Sequence, residues 1–412
     1  MKYIVDGDLV LSQPPTGPLA AQIGDFAEWA REQGYARYSR YRKILLAACF
    51  SGWLGRQAIT LRGVSSQDAS RYLQVRARRV KLHKEDAPAL RQLLTFLRRQ
   101  GAIPPEKIAP CRPTPADQAA RAFEQYLLHE RALVRATVVN YLPFIRRFLT
   151  NRFGNGRVRL SQLRARDVLR FVQRQAPRLH LKRAKLLTTA LRSFLHYARY
   201  CGAVTLDLAA AVPAVANWSM SSIPRAIPAD AVRQLLASIN RRTPMGCRDY
   251  AILLVLARLG LRASEVACLE LDDLDWEAGQ VTVRGKRGVR AALPVPADVG
   301  AAIVTYLRRG RPHTPSRRVF LRTRAPIRGF VGASAIACVV RHALERAAIN
   351  APTKGAHQFR HGLATEMLRR GASLTEIGAI LRHRSPEATT IYAKVDLDAL
   401  RTLALPWPGG AR

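Results

Sequence analysis

The sequence predicts a mainly α-helical protein with one small antiparallel β-sheet, an α+β fold. Three observations carry this. Apolar residues recur at helical spacing through the first half, as in Leu90, Leu93, Leu94, Leu97 and in Leu191, Phe194, Leu195, Ala198. The same pattern returns after an offset of 99 to 101 residues. Beyond that, Gln280–Arg284 and Val289–Val295 alternate as strands do, and Gly285-Lys286-Arg287-Gly288 between them reads as a hairpin turn.

In chain order, residues 1–19 form an N-terminal extension and 20–104 a first helical unit. A proline-rich connector, 105–114, leads to a second copy at 115–206. The copies are read from Ala89-Leu90-Arg91-Gln92-Leu93-Leu94, which matches Ala190-Leu191-Arg192-Ser193-Phe194-Leu195. Tyr41 matches Tyr141, and Asp68–Leu73 resembles Asp167–Val172. Each copy stops at a glycine, Gly101 or Gly202, as helices often do. A period near 100 residues signals duplicated domains rather than a solenoid. The connector 207–225, with Pro213, Pro224 and three serines, reads as extended linker. Residues 226–396 form the last domain. It predicts helices at Ala229–Ile239 and Arg248–Leu259, then the hairpin, then helices again. The tail 397–412 offers Leu397, Leu400, Leu403 and Leu405 for packing in cis or in trans.

The 412 residues carry 67 Lys+Arg against 29 Asp+Glu, a formal charge of +38. The excess is spread along the chain, with 37 basic and 13 acidic residues in 1–206 and 30 against 16 in 207–412. Such an excess repels itself until a polyanion neutralises it, and nucleic acid is the obvious one. Only ten of the basic residues are lysine. Arginine's planar fork suits phosphate, although GC-rich coding produces the same bias. Arg40, Arg42, Lys43, Arg76, Arg78 and Arg79 in copy one, and Arg146, Arg147, Arg152, Lys182, Arg183 and Lys185 in copy two, are candidates for contact with a DNA backbone. An ordinary solvated helix face is the alternative. The longest apolar run, around Tyr250 to Ala257, falls well short of the about 20 residues that span a bilayer. The first residues lack the layout of a signal peptide. The six cysteines are scattered, with no metal-ligand spacing, and fit reduced thiols. A cytoplasmic, nucleoid-associated protein is expected.

The chemistry lies in the last domain. Gly260 ends one helix and Ala263-Ser264-Glu265 begins the next, which leaves Arg262 in the junction with Glu265 three residues on. Lys286 sits in the hairpin turn between glycines, as either a solvated lysine or a cation delivered to a leaving oxygen. In His357-Gln358-Phe359-Arg360-His361, His357 and Arg360 share a helix face and point outward, while Phe359, Leu363 and Met367 form the core stripe. His357 and His361 are spaced for a metal, but no third ligand is placed and the Glu of a zinc protease is missing. His383 precedes a helix start at Ser385-Pro386-Glu387, and Tyr392 lies near the end of the helix Pro386–Ala393. No metal and no cofactor are expected. The acidic run Glu270, Asp272, Asp273, Asp275, Glu277 reads as a solvated loop or a subunit contact.

Taken in order, Arg, hairpin Lys, His-x-x-Arg, His-Arg-Ser and a Tyr nine residues after that His resemble the tyrosine recombinase (phage integrase) family. The resemblance covers about 226–396, and 115–206 resembles that family's SAM-like core-binding domain. It implies a site-specific DNA recombinase, of a bacterial mobile element, that cleaves and rejoins strands without metal or ATP. Tyr392 matches the nucleophile that leaves a 3′-phosphotyrosine. Arg262 and Arg360 match the phosphate clamps, and Lys286 the general acid. His357 matches the histidine that assists proton removal from the tyrosine. His383 matches the second, phosphate-bonding histidine, and Glu265 the acid that steadies the first arginine. The resemblance also implies double-stranded DNA enclosed by the domains, a homotetramer on paired sites, and accessory recombinases as further partners. Arg382 stands where the family usually has glycine, and Gln358-Phe359 replaces its usual Asp-Leu. Two alternatives share parts of this pattern. A type IB topoisomerase would need no paired sites, and a DNA-binding regulator on the same scaffold would cut nothing.

Overall fold

The computed structural model describes residues 3–4, 9–106, 113–215, 225–285, 289–351, 353–383 and 385–395. The chain forms two compact units, Met1–Glu106 with Ser222–Arg412, and Lys107–Ser221. Lys286, the tail 397–412 and much of both connectors lie outside the described residues.

The first unit opens with a two-stranded antiparallel pair, β1 (Tyr3–Ile4) and β2 (Val10–Leu11). Four helices follow: α1 (Ile23–Glu32), α2 (Arg37–Arg56), α3 (Ser66–Ala77) and α4 (Asp86–Arg99). They close over a core of Phe26, Phe50, Leu90, Leu94 and Leu97. The second unit repeats this plan with α5 (Pro115–Gln125), α6 (Arg135–Phe153), α7 (Ala165–Gln175) and α8 (Leu181–Tyr200). Its core holds Phe123, Ile145, Phe148, Leu191 and Phe194.

The internal repeat has a physical basis in aromatic packing. Phe50 meets Tyr72 with ring centroids 5.2 Å apart, and Phe148 meets Phe171 at 5.1 Å. Phe26 meets Phe96 at 5.5 Å, and Phe123 meets Phe194 at 5.3 Å. Each pair joins the same two helices of its unit. Both third helices begin after a 3₁₀ turn, Leu61–Gly63 or Leu160–Gln162. Both carry an aspartate, Asp68 or Asp167, that accepts from the N–H three residues back and so holds the helix start. Gly101 and Gly202 take left-handed φ of 71° and 67° at the ends.

The copies differ in their cations. Arg40 and Lys43 are buried, contrary to the expected phosphate-facing role. Lys43 lies 4.5 Å over the Tyr35 ring and donates to Gln92 at 2.7 Å, so it is spent on packing, and burial lowers its pKa. Arg42 pairs with Asp86 at 3.2 Å. In the second unit, Lys182 and Arg183 are exposed at the start of α8 and Lys185 is half-buried. Arg183 lies over the Phe144 ring, Arg146 pairs with Asp117 at 3.2 Å, and Arg147 donates to Gln175 at 3.3 Å.

Residues 225–395 contribute α9 (Ala229–Ala237), α10 (Pro244–Leu259), α11 (Ala263–Cys268), β3 (Leu274–Asp275), β4 (Gln280–Arg284), β5 (Arg290–Pro294), α12 (Ala297–Arg309), α13 (Ala333–Arg346), α14 (His357–Arg369) and α15 (Leu374–Leu381). The sheet runs β3-β4-β5, antiparallel throughout, with Val281 opposite Leu293 and Val283 opposite Ala291. Helix α10 is apolar on nearly every face, from Ala251 to Leu256, because other elements cover it on all sides. A smaller core joins Ala364, Ile377, Leu381 and Tyr392. Within the first unit, the 321–329 turn reaches the α1–α2 corner. Ile327 N–H donates to the Gln33 carbonyl at 2.9 Å. Gly34, at φ 78°, has no room for a Cβ, which would stand 2.4 Å from Ile327.

Three expectations change here. The helix expected at Pro386–Ala393 is two 3₁₀ turns, Pro386–Ala388 and Thr390–Val395. The α9 helix ends at Ala237, short of Ile239. The acidic run is not a merely solvated loop, since Arg284 bonds Glu270 at 2.8 Å and Asp273 at 3.0 Å. Arg317 pairs with Asp272 as well.

Candidate active site

Helix α10 stops at Gly260, which adopts a left-handed φ of 57°. A Cβ there would stand 2.9 Å from Leu381 and 3.0 Å from Leu363, so the position needs glycine for both shape and space. The chain then turns through Arg262 into α11. Arg262 N–H donates to Glu265 Oε2 at 2.8 Å and its Nη1 to Oε1 at 2.7 Å. The carboxylate thus fixes the guanidinium from behind. Glu265 is 3% exposed, whereas the Arg262 side chain is 38% exposed.

Arg360 departs from expectation. It does not point outward with His357, but is 1% exposed. Its Nη1 donates to the Gly260 carbonyl at 2.7 Å and its Nη2 to the Leu381 carbonyl. These bonds tie the ends of α10 and α15, where carbonyls have lost their helical partners. Burial, with Arg262 and Arg382 close by, pulls the Arg360 pKa down to about 10, so the group stays cationic at neutral pH. His357 is exposed on the same helix.

Tyr392 comes from the final 3₁₀ turn and is 1% exposed. Its hydroxyl lies 3.0 Å from His361 Nδ1. Burial raises the phenol's pKa while the Arg360 charge lowers it. Burial first, then His357, Arg360 and His383, pull His361 down to about 4. At neutral pH the imidazole is therefore neutral and the phenol protonated, which assigns the phenol as donor and Nδ1 as acceptor. The His357 ring stands edge-on to His361, with centroids 4.5 Å apart. The His383 ring is nearly parallel to that of Tyr392 at 6.4 Å. His383 Nδ1 pairs with the buried Thr389 hydroxyl at 2.7 Å. His383 is pulled down to about 4, by burial and then by the nearby cations Arg360 and Arg262, and further by His357 and Arg382.

Arg262, His357, Arg360, His383 and Tyr392 thus gather in one cluster, with Glu265 bonded to Arg262 from behind. Lys286 lies outside the described residues. His361 and Arg382 belong to the site without having been assigned to it from sequence. The signal for His361 was its place next to Arg360 and one helical turn from His357. Its spacing from His357 reads in the sequence as a metal-ligand pair and gives no sign of the contact with Tyr392. The cluster sets guanidinium charge near a phenol with a neutral imidazole beside it, an arrangement that suits attack of the phenol on a phosphodiester.

A small antiparallel sheet within a helical domain, with a tyrosine set among arginines and histidines, defines a tyrosine recombinase type of catalytic domain. The phage integrase family profile matches residues 225–398. The chain is 58% identical over 412 residues, all of both chains, to "Putative integrase/recombinase y4rA" of Sinorhizobium fredii. It is 30% identical over 307 residues to "Tyrosine recombinase XerD" of Mycobacterium tuberculosis, covering 70% of this chain and 96% of that one. Among solved structures, XerH site-specific recombinase bound to palindromic difH substrate aligns with a TM-score of 0.56 at 17% identity, over 70% of this chain and 84% of that one. A lambda integrase dimer bound to a COC' core site aligns at 0.52 and 17% identity, over 71% and 98%. The chain belongs to the phage integrase family of tyrosine recombinases.

Proposed function

We propose that this protein recombines duplex DNA at specific paired sites by transferring a strand to Tyr392 and back. The observation that carries this is the Tyr392 hydroxyl, 3.0 Å from a neutral imidazole, inside a pocket of buried or half-buried arginines. The phenol oxygen attacks the scissile phosphorus and the 5′-oxygen departs, which leaves a 3′-phosphotyrosine and a 5′-hydroxyl. Its proton passes to His361, whose basicity rises as the anionic phosphate offsets the surrounding cations, with His357 alongside. Arg262, Arg360 and His383 stabilise the charge that gathers on the phosphoryl oxygens. Lys286 protonates the departing oxygen. The ester keeps the bond energy, so a second 5′-hydroxyl reverses the step without ATP.

The phosphate-facing cations of the helical units are Lys182, Arg183 and Lys185, supported by Arg146 and Arg147. Phosphate contacts of this kind position the protein but carry no sequence information. Four protomers on two sites, as part of a mobile element, complete the reading.

The test is a plasmid carrying two copies of a duplex selected from a random-sequence pool by binding to the Tyr392→Phe protein. The unaltered chain should yield recombinant circles in EDTA without ATP, and Tyr392→Phe should yield none. Relaxation of a plasmid lacking the site, without recombinants, would favour a topoisomerase. Binding without any strand breakage would favour a regulator.

A further inference from the structure

Arg382 ends α15 in a left-handed conformation, φ 56° and ψ 48°, that favours glycine and strains a residue with a Cβ. The side chain turns into the active site and is 14% exposed. Its Nη2 donates to Glu265 Oε2 at 2.9 Å, the oxygen that also accepts from the Arg262 N–H. Its Nη1 is buried and has no acceptor among the described residues. A buried donor without a partner is unfavourable, so this nitrogen is organised for an acceptor that the described residues do not supply.

The charge balance agrees. Arg262, Arg360 and Arg382 surround one carboxylate, Glu265, while His361 and His383 are neutral at neutral pH. These three arginines and one carboxylate therefore leave two positive charges uncompensated among themselves. A phosphodiester brings one negative charge, and its five-coordinate state in transfer brings two. Steadying Glu265 does not require a second arginine, because Arg262 already engages both carboxylate oxygens.

We propose that Arg382 is a third phosphate-binding arginine of this active site, donating Nη1 to a nonbridging oxygen of the phosphodiester held by Arg262 and Arg360. Glu265 is the shared support that aligns Arg262 and Arg382. This inference rests on the functional reading above.

The test uses the full chain and a nicked suicide form of the selected duplex, with covalent adduct measured in a single turnover. Arg382→Gly relieves the backbone strain, so it should melt no lower than the unaltered protein and bind the duplex within about threefold. Its cleavage should be about 10²- to 10³-fold slower, the scale of one lost transition-state donor. Arg382→Lys should recover part of that loss. The decisive arm replaces the scissile phosphate by an uncharged methylphosphonate and follows strand cleavage. There the gap between Arg382→Gly and the unaltered protein should shrink at least tenfold, since the charge that Arg382 offsets is gone. Arg382→Gln goes through the same two substrates should the glycine variant fail to fold. Cleavage by Arg382→Gly at the unaltered rate, or an equal gap on both substrates, would overturn the proposal. No adduct from the unaltered protein would instead overturn the functional reading, and this inference with it.

Discussion

The two sides of the active site are built differently. One side, Arg262, Glu265 and Arg360, hangs on helix ends and on a buried carboxylate. Its charges are locked by several bonds each. The other side, His361, His383 and Tyr392, is neutral at neutral pH. It is held by single side-chain hydrogen bonds on and beside short 3₁₀ turns. The electrostatic half is therefore preorganised, as transition-state stabilisation requires. The nucleophile is held protonated and buried against His361.

Arg360→Ala would break the comparison most severely. It strips the donors from the Gly260 and Leu381 carbonyls, so stability should fall by about 2–5 kcal/mol as buried groups lose their partners. Cleavage should vanish with it, and urea denaturation beside adduct formation checks both. Arg262→Ala should separate the two properties. The residue is partly exposed, and Glu265 keeps Arg382 and a backbone N–H, so the melting temperature should hold. Adduct formation should drop by about 10²–10³-fold. On the neutral side, His361→Phe removes the acceptor of the phenol proton. Cleavage should slow by about 10²-fold while DNA affinity stays within a factor of a few. Unchanged cleavage would reduce His361 to a packing role.

A further expected effect is a pH dependence of stability. His361 and His383 titrate near 4 in the folded chain and near the ordinary value of 6.5 in the unfolded one. Below 6.5 the unfolded state takes up protons that the folded state refuses. Their share of stability is thus complete above about pH 6.5 and is lost progressively as pH falls towards 4. Melting temperatures taken from pH 7.5 to 4.5 should decline, and His361→Asn should flatten part of that decline.

What the sequence made legible follows from local rules. Helix stops at Gly101, Gly202 and Gly260, the hairpin strands and the helical repeat all depend on residue spacing and backbone preference. The gathering of Arg262, Glu265, His383 and Tyr392 at one place was likewise expected from their order. The rest depends on tertiary contact. The burial of Arg360 requires two carbonyls from distant segments, and Arg382 reaches Glu265 across 117 residues. The approach of His361 to Tyr392 depends on how the last 3₁₀ turn folds back onto α14. The loss of Arg40 and Lys43 from the surface of the first copy has the same origin. Periodicity placed them on a helix, but only packing against Tyr35 and Gln92 places Lys43 inside.

The account turns on a covalent bond at one oxygen. The nicked suicide duplex, incubated with the full chain and digested with protease and nuclease, allows the linked peptide to be identified by mass spectrometry. The predicted product is a 3′-phosphonucleotide on Tyr392, absent from the Tyr392→Phe protein. An adduct on any other residue, or one formed in normal yield by Tyr392→Phe, would contradict it.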